Sequence, residues 1–171
     1  MVSGRSVGCL IALLVVAGPS TAQEATMLTL RTARAVVGRY LRAELAGQDR
    51  ATATKLYGCR GAYDQGTDFV LPVARASIID AHLVADTAWV RVQYLVLGRA
   101  FLGKRSTFAD SVRPDTASFP IVRDSTGTAR VGCSHLEADH YSVTAMQRFI
   151  PRLDPPSRRA WNRALAAARH Q

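Results

Sequence analysis

Residues 87–97, TAWVRVQYLVL, alternate more regularly than any other stretch of the chain. Val90, Val92, Tyr94 and Val96 share one side of a period of two, and Trp89, Arg91, Gln93, Leu95 and Leu97 share the other. That pattern predicts a β-strand. Residues 73–84 carry a similar but interrupted alternation, with Val73, Ile78, Ile79, Leu83 and Val84 set among Arg75, Ser77, Asp80 and His82. The break at Ile78-Ile79 predicts a bulge or register change. With Ala85-Asp86 as the turn, the two runs predict a long antiparallel hairpin. Upstream, the period lengthens. From Leu28 to Ala46, Val36, Val37, Tyr40, Leu41 and Leu45 recur at three- and four-residue steps, while Arg34, Arg39, Arg42 and Glu44 are assigned mostly to the opposite side. This predicts an amphipathic helix ended by Gly47, with a shorter helix following from Asp49 to Tyr57.

Downstream of the hairpin the pattern is weaker. Residues 98–115 read as a loop or an edge strand. Residues 117–123 read as a strand in which Pro120 argues for an edge position or a bulge. Asp124-Ser125-Thr126-Gly127 then predicts a turn, with a return strand from Thr128 to Cys133. Ser142 is expected to cap a helix limited by Pro151. Ser157 is expected to cap a last helix carrying Trp161, Leu165 and Ala168, with a frayed end.

The first residues change the picture by giving an address. Arg5, the apolar run from Val7 to Val16, the breakers Gly18-Pro19 and the small residues Ser20-Thr21-Ala22 have the layout of a secretory signal peptide. The run is too short to anchor the chain stably, and no later stretch could form a transmembrane segment. The expected organisation is a signal peptide over 1–22, one α+β domain over 23–153, and a C-terminal helical extension over 154–171. The address is secreted or periplasmic. Of the 3 cysteines, Cys9 leaves with the signal. Cys59 and Cys133 are then expected to pair in the oxidising compartment.

The net charge of +9 is carried almost wholly by arginine, since only Lys55 and Lys104 are lysines. The arginines are scattered rather than clustered. This favours a solvated basic surface and argues against a nucleic-acid partner, which needs a patch on one face.

The phrases AVVGRYLRAELAGQDRATATKLY and FPIVRDSTGTARV resemble the opening helices and closing hairpin of the nuclear-transport-factor-two-like superfamily, over about residues 30–133. The resemblance implies N-terminal helices packed on a curved antiparallel sheet, the cystatin-like cone, here with extra C-terminal helices. In that superfamily the cone serves isomerases and dehydratases as well as non-catalytic binding domains.

No phosphate loop, nucleophile elbow or zinc motif occurs, so no cofactor and no catalytic or metal-ligating set is assigned. His135, Glu137, Asp139 and His140 form the densest polar cluster, and its spacing fits no ligand motif. Asp80 and His82 share a strand side by their spacing of two. With Tyr94 they are the candidate pocket residues if that side lines a cone. The expected function is non-catalytic binding of a small apolar or amphipathic ligand, or of a partner protein in the envelope. The alternative is a small enzyme of the isomerase or dehydratase kind using Asp80 and His82.

Overall fold

The structure, a computed structural model, describes residues 28–48, 69–132 and 139–171. The signal segment, the helix expected from Asp49, the loop over 60–68, Cys59, Cys133, His135 and Glu137 lie outside the described residues. Helix α1 spans Leu30–Leu45. Thr29 caps it by accepting a hydrogen bond from the Thr32 backbone N–H, which satisfies one of the free donors of the first turn. Gly47 closes it at φ +79°. Its N–H reaches the carbonyl of Glu44, and the Gln48 N–H reaches that of Ala43. That paired closure needs a left-handed residue, which glycine supplies without a Cβ penalty.

Five strands follow: β1 Phe69–Val84, β2 Thr87–Phe101, β3 Thr107–Arg123, β4 Ala129–Val131 and β5 Asp139–Ser142. They form one curled sheet in the order β4-β3-β2-β1-β5. The β1/β2 hairpin is the expected one, and its register slips between Ile78 and Asp80, leaving Ile79 as the extra residue. A single added residue would invert every side chain beyond it unless the partner strand twisted to compensate, and that is the work of a bulge. The ambiguous stretch 98–115 completes β2 and begins β3. At Gly98, where the β2/β3 register shifts, a Cβ would stand 2.1 Å from the Ala109 carbonyl oxygen, so only glycine fits.

Two prolines sit inside β3 without breaking it. Pro120 directs its carbonyl to the Gly132 N–H, so its backbone polar side faces away from β2. Pro114, six residues earlier in unbroken register, points the same way. Neither removes a donor from the β2/β3 ladder, so both are tolerated although β3 lies inside the sheet, between β4 and β2, and not at the edge expected from Pro120.

The sheet differs from the expected antiparallel one at its other margin. Asp139–Ser142 pairs parallel with Val70–Val73, so the sheet is mixed. A four-residue strand with little alternation carries no pattern signal of its own. Its place comes from the pairing partner and from what its side chains meet.

Helices cover both faces, at different ends. Val36, Val37 and Tyr40 of α1 pack on Val90, Val92, Tyr94 and Val96, with Phe119 and Ile121 beyond. Tyr40 and Phe119 meet at 5.4 Å between ring centroids. On the opposite face, Leu95, Leu97 and Phe108 are buried by two C-terminal helices, α2 Val143–Met146 and α3 Pro155–Ala168, joined through a 3₁₀ turn at Ile150–Arg152. Trp161 of α3 meets Phe108 edge-on at 5.3 Å. No helix among the described residues is long and apolar enough to cross a membrane.

The cap of α3 lies three residues earlier than the expected Ser157. Asp154 accepts the Ser157 N–H at 2.8 Å, and Pro155 and Pro156 occupy the first helical positions. Those positions have no intrahelical partner for an N–H, so prolines lose nothing there. The Asp154 carboxyl is held below the usual carboxylate range, first by the Ser157 hydroxyl and then by its backbone N–H. The helix holds through Ala168, with Ala164 and Ala168 buried against the sheet, and only residues 169–171 continue beyond it, exposed.

The β3/β4 turn is organised by one carboxylate. Asp124 accepts the Thr126 hydroxyl at 2.6 Å and Arg130 Nε at 2.6 Å, with the backbone N–H groups of Thr126 and Thr128 at 2.9 and 3.0 Å. These donors, the Thr126 hydroxyl foremost and Arg130 next, hold its carboxyl well below the ordinary range. A depressed folded pKa contributes stability that is present above the unfolded value, near about 3.9, and is lost as pH falls through the folded one. Asp124→Asn is therefore expected to melt earlier than the parent at pH 7. Thermal melts as a function of pH should show the gap narrowing below about pH 4; a constant gap would refute the assignment.

Candidate functional site

Two features of the described residues carry chemistry. The first is buried at the end of α1. Glu44 stands seven residues after Val37 and four after Tyr40, so helical spacing puts it on the same stripe as those core residues. The structure corrects the outward assignment: Glu44 is fully buried. Its Oε1 lies 3.1 Å from His140 Nδ1 and 3.3 Å from the His140 backbone nitrogen. His140, itself 5% exposed, is brought in by β5. Its ring stacks on Tyr94 with centroids 4.1 Å apart and planes within 7°. The second carboxyl oxygen, Oε2, meets no hydrogen-bond donor among the described residues. Such a pair fixes the orientation of an imidazole and ties the helix end to the sheet margin.

The charge of Glu44 argues for an outward position, while its place on the apolar stripe argues for burial, and the stripe prevails. In sequence His140 belongs with His135, Glu137 and Asp139, and its burial beside Glu44 depends on the pairing of β5 with β1. No group of three or more His, Cys, Asp or Glu side chains able to hold one metal ion occurs among the described residues.

The candidate pocket residues divide between the two faces. Asp80 and His82 come together, with Oδ2 3.4 Å from Nδ1, on the face opposite α1 and open to solvent. Asp80 sits across from Arg91, and His82 across from Trp89. Tyr94 points to the other face and is buried with α1 and His140. The three therefore form no single constellation.

The second feature is a groove of about 460 Å³ on the face opposite α1. Helix α3 leans on β3 and β2, while α2 leans on β5 and β1, so the two diverge over the middle of the sheet. Leu95, Val143, Leu165 and Ala168 give the cleft apolar walls, and Arg75 and Arg169 stand at its rim. A smaller recess of about 150 Å³ adjoins it through Arg75 and Leu95, with Ser77, Gln93 and Gln171 as polar lining. Apolar walls with a few convergent polar groups, at this volume, are the usual make-up of a small-ligand site.

A scan against protein-family models, a search of curated proteins and a search of solved structures each return no match for this chain.

Proposed function

We propose that this chain is an exported, disulfide-tied α+β domain of the cystatin-like cone type. Its role is to bind a small apolar or amphipathic ligand in the cell envelope. The observation that carries this reading is the groove between α2, α3 and the sheet. The rest of the sheet is covered differently. Under α1 the described side chains interlock as core, with Val37, Val90, Val92 and Phe119 wholly buried. At the groove, Leu165 is only partly buried, and apolar wall stays open to water. Withdrawing such surface on ligand binding is favourable by roughly 25 cal/mol per Å². The small residues on α3 that face the sheet, Ala160, Ala164 and Ala168, let the helix sit close and leave room beside it. The curled sheet with its leading helix is compatible with the cone architecture, and the signal-like leader supports export.

Nile red, a neutral apolar dye, tests the binding. The exported protein is expected to enhance its fluorescence saturably. Leu165→Gln should weaken that binding by about tenfold, by losing apolar contact in the groove, while its melting temperature stays near the parent value. An unsaturable signal, or one that Leu165→Gln leaves unchanged, would overturn the reading. The intact mass of the same exported material checks a start at Gln23 and a bond between Cys59 and Cys133.

A further inference from the structure

We infer that the groove between α2, α3 and the sheet selects a single-chain anionic amphiphile of the fatty-acid kind, its head group held between Arg75 and Arg169 and its chain laid along Leu95, Val143, Leu165 and Ala168. This rests on the binding reading above and adds the chemistry of the head group.

Several arginines around this end of the molecule are engaged by the protein itself. Arg163 reaches Asp110 at 3.1 Å, and Arg158 donates to the Leu153 carbonyl at 3.2 Å. Arg148 donates to the Gly47 carbonyl at 2.8 Å and lies over the Phe149 ring. Arg75 and Arg169 form no ion pair among the described residues. They come from elements distant in sequence, the middle of β1 and the end of α3, yet both edge one cleft. Two uncompensated guanidiniums beside an apolar wall suit a ligand with one anionic end and one apolar body. Guanidinium forks match a carboxylate in geometry, and their stems lie readily against apolar surface. A free acid is favoured over a membrane lipid by the site's shape. The apolar walls stand between helices and sheet in an open cleft of about 460 Å³, which offers room for one chain laid along it. A bilayer surface would meet only the rim.

Competition with Nile red, at about pH 8 where a fatty acid in water is ionised, tests the proposal on the full exported chain. Dodecanoate and dodecanol share a chain and differ in head charge. Dodecanoate is expected to displace the dye at about tenfold lower concentration than dodecanol, the size of a charge-assisted contact. In Arg75→Gln/Arg169→Gln that preference should vanish through loss of dodecanoate affinity, with dodecanol changed less than about twofold. Arg75→Lys/Arg169→Lys, which keeps the charge, should restore part of it. Equal displacement by the two compounds in the parent overturns the anionic selectivity and leaves the apolar groove standing. A loss of both ligands in the glutamine variant, with an unchanged melting temperature, overturns the head-group role of the arginines. Displacement of dye by phosphatidylglycerol vesicles but not by dodecanoate overturns the single-chain ligand. Failure of Nile red itself to bind overturns the function proposed for the groove as well.

Discussion

Val92→Asp is expected to unfold the protein at ordinary temperature, at a cost of about 4 kcal/mol or more, whereas Arg91→Asp costs about 1 kcal/mol at most. Val92 is completely buried in the core between α1 and the sheet. Its backbone pairs with Ile78 on one side and Ala117 on the other. A carboxylate placed there would lose its water and find apolar neighbours in place of donors. No rotamer reaches solvent from the middle strand of a covered sheet. One residue earlier, Arg91 projects from the opposite face and is exposed. Arg91→Asp would bring a second carboxylate across from Asp80, and directly opposed like charges on a sheet cost roughly 0.2–1 kcal/mol. Thermal and urea melts of the two variants check the assignment. If Arg91→Asp were the more damaging, the α1 side of β2 would be the wrong side.

That alternation is also why β2 could be read from sequence at all. Each side of the strand meets a different layer: α1 on one face over Val90–Val96, α3 and α2 on the other from Leu95 onward. Where one layer gives way to the other, Leu95, Val96 and Leu97 are all buried, and the alternation ends in an apolar run. The helix α1 was legible for the same reason, since its stripe faces one layer throughout. The strand β3 is legible only at its end, over residues 117–123. Its first twelve residues, TFADSVRPDTAS, are mostly solvent-facing, and its two prolines mimic a loop unless the hydrogen-bonding parity is known. Parity is a property of the pairing, not of the segment. The short strand β5 was hidden likewise, because four residues cannot display a period and its partner lies far back in the chain.

The groove had no sequence signature for a deeper reason. Its walls come from β1, β2, α2 and α3, and each contributes residues that would be ordinary alone. Leu165 belongs to a normal amphipathic helix, and Arg75 reads as a normal exposed strand residue. Only the divergence of α2 from α3 leaves an opening, and that divergence follows from Pro151 and from the Asp154-Pro155-Pro156 cap, which turn the chain between them. Asp80 and His82 show the converse. Their spacing predicts a shared strand side, but which layer that side meets is decided by the bulge at Ile79 and the helices beyond it.

The buried Glu44–His140 pair should behave as a unit under mutation. Glu44→Leu would leave the Nδ1 and the backbone N–H of His140 facing an alkyl group, in a place only 5% open to water. Removing one partner of such a pair costs about 3–5 kcal/mol. His140→Phe would instead leave the carboxyl of Glu44 short of its ring partner, with Oε2 already lacking a hydrogen-bond partner among the described residues; a cost of about 3 kcal/mol is expected. The aromatic stack on Tyr94 would survive that change, because a phenyl ring can take the same plane. In Glu44→Leu/His140→Phe no buried ring nitrogen or carboxyl remains. The one backbone N–H still unpaired costs about 1–3 kcal/mol, so the double variant should be destabilised by less than the sum of the single ones, by at least about 2 kcal/mol. Urea denaturation of the parent and the three variants closes the cycle. Additive losses would mean that the two side chains stabilise the fold independently. In that case the contact between the end of α1 and β5 is not what holds this margin of the sheet in place.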